Sequence, residues 1–238
     1  MNIAEKTLQL KEDFDAVYEA GKASAGAIWD ELQNYGNRKN YPSGFFSEYN
    51  GETLSPKHVV APTGVCSKLF ENGNMKYIDK NKFDLSKATY STKTDNSTTT
   101  DICKGCKNLE IFPDIGLQAG MITNGFDGCV SLHTIEKLRF RDSPVDMFTF
   151  GSCKKLVNIE DVEGTIAEGA YFMYSPLSID SLKKIITHMK NYSGTDEEYE
   201  WEAWFDYDAL DALDTEGGPS PNGNKWSEYI DDLGWWLL

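Results

Sequence analysis

The chain has 238 residues, enough for one large domain or two small ones. It carries 23 basic against 38 acidic residues, and a net charge of −15 repels phosphate, which excludes nucleic acid as the main partner. No apolar run reaches the roughly 18 residues of a membrane span, the opening Met1-Asn2-Ile3-Ala4-Glu5-Lys6 shows no apolar signal core, and five cysteines without an export signal read as reduced thiols.

Residues 1–34 are expected to hold one long helix. Ile3, Thr7, Leu10, Phe14, Val17, Gly21, Ser24 and Ile28 alternate steps of four and three, the period of a coiled-coil seam. Gly21 and Gly26 weaken its second half by about 1 kcal/mol each. Such a stripe needs covering, either by the chain's own domain or by self-association. Residues 35–101 read as a turn-rich connector with short strands, one of them at Val59-Val60-Ala61-Pro62. Within it, residues 90–101 are almost free of apolar side chains and read as a loop or a solvated edge strand. Asn96-Ser97-Thr98 matches a glycosylation sequon, which carries no meaning without export.

An internal repeat occupies residues 102–177. Cys106, Cys129 and Cys153 lie 23 and 24 residues apart. Cys103, Phe126 or Phe150 stands three residues before each, and Leu109, Leu132 or Leu156 three after. Phe112, Ile135 or Ile159 follows at six, and Ile115, Leu138 or Val162 at nine. Phe172, Ser175 and Leu177 look like a decayed fourth copy. A unit of this length cannot bury its apolar face alone, so neighbours stack and equivalent residues form ladders. Cysteine then serves as a small hydrophobe in a tight corner.

Residues 178–238 form an acidic, aromatic C-terminal part. Ser178 or Asp180 caps an expected helix with Ile179, Leu182, Ile185, Ile186 and Met189 on one stripe. Tyr199 to Phe205 alternates as a strand, Asp208 to Thr215 reads as a helix, Trp226 to Leu233 as another, and Gly234 to Leu238 as a last strand.

The segment Phe126-Asp127-Gly128-Cys129-Val130-Ser131-Leu132-His133-Thr134-Ile135 resembles the signature of BspA-type leucine-rich repeats. The copy from Phe150 keeps the pattern with Ser152 in place of the glycine, and the resemblance covers 103–177. Proteins with such repeats include bacterial surface adhesins and phage structural proteins. The flanks, Ile3 through Lys22 and Ser175 through Leu237, are similar to tail, baseplate and fibre proteins from phages of gut bacteria. The resemblance implies a virion protein assembled in the host cytoplasm, and it brings no catalytic residue.

Cys103-Lys104-Gly105-Cys106 is a C-x-x-C, which alone would suggest redox chemistry or half a zinc site. The repeat accounts for both cysteines, and no second pair completes a site. His58, His133 and His188 sit in separate segments without nucleophile context. Ten acids between Asp196 and Glu216 read as a solvated face, and Asp206-Tyr207-Asp208 lacks the glycine and spacing of a calcium loop, so calcium binding there stays open. Five tryptophans crowd the last 40 residues. Most are expected in a core, with Trp201, Trp204 and Trp226 as candidates for surface recognition, since rings beside carboxylates suit sugars.

The expected class is α+β: a long N-terminal helix, a short leucine-rich-repeat solenoid and a small α/β cap. The expected function is a non-enzymatic virion component of tail, baseplate or fibre. It would associate with itself through the N-terminal helix, with other virion proteins, and with a host cell-surface glycan or protein, without inserting into a membrane. No catalytic residue, metal or cofactor is expected. The alternatives are a bacterial surface adhesin with BspA-type repeats and a glycan-cleaving tail tip.

Overall fold

An apolar residue that returns every two dozen positions buries its side chain only if successive segments lie on one another. The computed structural model describes residues 44–47, 49–56, 59–64, 66, 68–88, 101–118, 124–140, 143–145 and 149–238. The helix expected over 1–34 lies outside these residues, as do His58 and the sequon at Asn96.

In chain order the strands are β1 (Thr53–Leu54), β2 (Tyr77–Ile78), β3 (Ile111–Phe112), β4 (Thr134–Ile135), β5 (Leu138–Arg139), β6 (Ser143–Val145), β7 (Asn158–Ile159), β8 (Val162–Glu163), β9 (Ile166–Phe172), β10 (Glu202–Phe205) and β11 (Trp236–Leu237). The helices are α1 (Ile179–Thr187), α2 (Tyr207–Glu216) and α3 (Trp226–Asp232). The strands pair in four small sheets: β1-β2, β3-β4-β7, β5-β8 and β11-β10-β9-β6. Each pairing between them is parallel.

The expected class is therefore corrected. The described residues form a mixed α/β structure of three short helices and several small parallel sheets, not a leucine-rich-repeat solenoid closed by a separate cap. Most strands are two residues long, so the backbone ladder is interrupted and no continuous repeat sheet forms. The composition shift at residue 178 is also no structural boundary. β6 and β9 lie before it, β10 and β11 after it, and all four share one sheet. The parallel order also begins earlier than expected, since β1 and β2 lie in the segment read as a connector. The Glu110 amide donates to the Lys76 carbonyl at 3.0 Å and carries the stack across to β3.

Side chains supply the cohesion that such short strands lack. Cys106, Cys129, Cys153, Leu109, Leu132, Leu156 and Phe126 are fully buried, and Phe150 nearly so. The rings of Phe126 and Phe150 stack at 5.6 Å, Phe150 and Phe172 at 5.3 Å, and Phe172 and Phe205 at 6.0 Å. Phe46 and Phe70 stack at 6.0 Å further up the chain. Cys103 interrupts the ring column, and beyond it Phe112 meets Phe126 edge-on at 4.9 Å. Each such aromatic pair adds about 0.5–1.5 kcal/mol beyond its area.

The cysteines add a second tie between neighbouring segments. The Cys106 thiol donates to the Phe70 carbonyl at 2.9 Å, Cys129 to the Cys103 carbonyl at 3.0 Å, and Cys153 to the Phe126 carbonyl at 3.2 Å. Burial pushes the Cys66 and Cys153 thiols up to about 12, and raises Cys103 and Cys129 well above the ordinary value of 9.0. Unfolded thiols ionise near 9 and these folded ones do not. Their contribution to stability is thus whole below pH 9 and is lost as pH rises toward 12. All five thiols should stay silent toward a disulfide reagent at pH 8 and react together on unfolding. Prompt release of one equivalent from the native protein would contradict the stack.

Helix α1 ends the three-stranded sheet. Ser178 caps it by accepting from the Ser181 amide, as its position in the sequence suggests. Ser181 Oγ accepts from the Ile159 amide at 2.8 Å and donates to the Val157 carbonyl at 3.1 Å. Lys184 Nζ donates to the Ile159 carbonyl at 3.2 Å. The free edge of β7 is thereby covered by side chains instead of a further strand. On the second ladder, Lys137 bridges Asp161 at 2.8 Å and Glu163 at 2.9 Å, and Arg139 holds Asp114 and Glu163.

Candidate functional site

Strand β10 alternates Glu202, Ala203, Trp204 and Phe205, so two side chains face each way. Ala203 and Phe205 point inward with Ala170 and Phe172 of β9, all four buried. Register then decides what faces out. Trp204 pairs with Tyr171 and Glu202 with Trp236, and partners in parallel strands share a face. Tyr171, Glu202, Trp204 and Trp236 therefore lie on one outward surface. Leu238 continues it two residues beyond Trp236.

Tyr171, Glu202 and Trp204 are half-buried, while Trp236 is 60% and Leu238 52% exposed. The Tyr171 and Trp204 rings stand 6.5 Å apart, tilted by 41°. Glu202 Oε2 accepts from Trp204 Nε1 at 3.0 Å and from the Tyr171 hydroxyl at 3.3 Å. One carboxylate oxygen is thus pinned by two aromatic donors from two strands. Among the described residues Glu202 Oε1 has no such partner.

The neighbouring elements fix this surface. Asp206 Oδ1 caps α2 by accepting from the Ala209 amide at 3.2 Å, ending β10 where the helix must start. Gly234, at φ 79°, turns the chain from α3 into β11. That conformation favours glycine, and a β-carbon there would also lie a tight 3.0 Å from the Ser193 nitrogen. β11 is then held by the Trp236 amide to the Trp201 carbonyl at 2.8 Å and the Leu238 amide to the Ala203 carbonyl at 3.0 Å.

The three tryptophans expected to recognise a ligand separate in the structure. Trp204 lies on the outward face. Trp226 is only 4% exposed, with Nε1 donating to the Gly218 carbonyl at 3.0 Å, so its expected surface role is corrected. It begins α3 and points its ring into the core with Ile230. Trp201 is half-buried against the core, its ring 6.4 Å from Tyr192. Tyr171, Glu202 and Trp236 were not anticipated. Only the alternation around Trp204 signalled the face, because strand register is not visible in the sequence.

A second surface is polar. Asn50, Gly51, Glu52, Asn74, Lys76 and Asn108 line an open groove of about 550 Å³. Its groups are already engaged with one another. Asn74 Nδ2 donates to Asn50 Oδ1 at 3.1 Å and Asn108 Nδ2 to the Asn74 carbonyl at 3.3 Å. Lys76 sits 3.6 Å from Glu52 and 3.8 Å from Glu110.

Among the described residues no group of three or more His, Cys, Asp or Glu is arranged to hold a metal ion. No helix among them is long and apolar enough to cross a membrane. Comparison with family models, with curated proteins and with solved structures gives no match to this chain.

Proposed function

We propose that this chain is a non-enzymatic attachment and assembly protein, a virion component of the tail, baseplate or fibre type. The observation that carries the reading is the outward aromatic face of β9, β10 and β11, built on a body held by stacked side chains. An exposed ring, Trp236, gathered with the half-buried Tyr171 and Trp204 on one rigid face suits recognition of another surface. Hydrolysis of a glycoside needs a carboxylate pair flanking the bond. The aromatic face brings one carboxylate, Glu202, among its rings, which favours binding over cleavage. Virion membership rests on the resemblance of the repeat and the flanks to phage structural proteins. Self-association through residues 1–34 and contacts to other virion proteins belong to the same proposal.

Gold-labelled antibody against this chain should decorate the tail, baseplate or fibre of particles released from the cells that make it. Label on the bacterial envelope with none on particles would replace this reading by the adhesin alternative.

A further inference from the structure

We infer that the outward face of β9, β10 and β11 is a binding site for a neutral pyranose glycan, with Tyr171, Trp204 and Trp236 as stacking rings and Glu202 as hydrogen-bond acceptor. This names the ligand class for the face on which the proposed attachment role rests.

The geometry makes the case in three steps. Adjacent strands lie about 4.8 Å apart and two residues along a strand span about 6.6 Å. Trp204 and Trp236 thus stand on neighbouring strands, one diagonal step apart, and Tyr171 lies across from Trp204 on the far side. Three rings in this arrangement offer a broad apolar surface, which fits the C–H faces of linked sugar rings.

The second step concerns Glu202. A carboxylate among rings is costly unless it has partners. Two donors hold one oxygen at 3.0 and 3.3 Å, so the other is presented in a fixed place. A fixed acceptor beside stacking rings matches a ligand with an apolar face and hydroxyl donors around its rim. Fixing it in the free protein reduces what binding must order.

The third step is charge. An acidic side chain, Glu202, at the centre of the face, in a chain of net charge −15, opposes sialylated, sulfated or phosphorylated glycans. Nucleic-acid strands stack on rings too, but their phosphates meet the same repulsion. A proline-rich peptide would use the rings, yet proline has no N–H to offer the carboxylate.

The test uses the full chain on an array of neutral and acidic pyranose oligosaccharides, followed by titration of tryptophan fluorescence with the best neutral hit. At least one neutral oligosaccharide should bind saturably, and acidic counterparts at least tenfold more weakly. Trp236→Ala should weaken binding at least tenfold while leaving the melting temperature unchanged, because that ring is 60% exposed. Glu202→Gln should weaken the neutral ligand at least fivefold and narrow its margin over the acidic ones. No neutral binder on the array, a preference for acidic glycans or for a proline-rich control peptide, or unchanged binding by Trp236→Ala would overturn the inference. Particle labelling is scored without any ligand, so the attachment reading and the glycan assignment fail independently.

Discussion

Leu132→Asp is expected to abolish the cooperative melting transition of this protein. Leu132 is fully buried, as are Leu109 and Leu156 at the equivalent positions and Ile135 on β4 beside it. An aspartate there must either ionise without a partner or take up a proton and remain a buried polar group. Breaking a buried pair to leave an unpaired charge costs about 3–5 kcal/mol, and here no pair existed to begin with. The lost leucine packing adds to that, against a total stability for a domain of about 5–15 kcal/mol. Leu132→Met keeps volume and polarity and should cost less than about 1.5 kcal/mol. Near-ultraviolet circular dichroism during heating distinguishes the two. If the aspartate variant melts as sharply and as high as the methionine one, Leu132 does not lie in a stacked core.

Phe150→Ala has the next largest effect. Phe150 stands between Phe126 at 5.6 Å and Phe172 at 5.3 Å, so truncation removes two ring contacts and leaves a void the stack cannot close from either side. A buried Phe→Ala change costs about 3–5 kcal/mol. For a chain of this size, each kcal/mol moves Tm by about 2–4 °C, which gives a fall of roughly 6–20 °C. Scanning calorimetry should show the shift with the transition still present. A fall below about 3 °C would mean that the ring column contributes little cohesion.

The same column shows what could be read from the residues alone. Phe126 and Phe150 are visible because the cysteine and leucine that accompany them recur at the same offsets, and Phe172 because it follows at the repeat distance with Ser175 and Leu177 behind it. Phe46 and Phe70 escaped because Tyr49 and Gly73 follow them at the cysteine offset, and because 33 residues separate Phe70 from Cys103. Phe205 escaped for another reason, since it enters the column through β10 in a segment that lacks the repeat pattern. The helix starts at Ser178 and Asp206 were near their expected places because capping chemistry is local. Local chemistry does not say which strands meet. A change of composition at residue 178 thus suggests a cap, while the sheet runs straight through it. For the same reason Trp226 looks like a partner of Trp204, when its helix turns it inward and Trp236 takes that place.

Strand order carries one more consequence. In each strand pair of the described residues the later strand rests on one made two or three dozen residues before it. A chain leaving the ribosome therefore finds its template already in place, and closing each loop demands little entropy. Growth along the strand pairs is vectorial, each new strand closing on one already made. Trp236 arrives after Tyr171 and Trp204, so the outward aromatic face is completed only after the strands β9 and β10 beneath it are made.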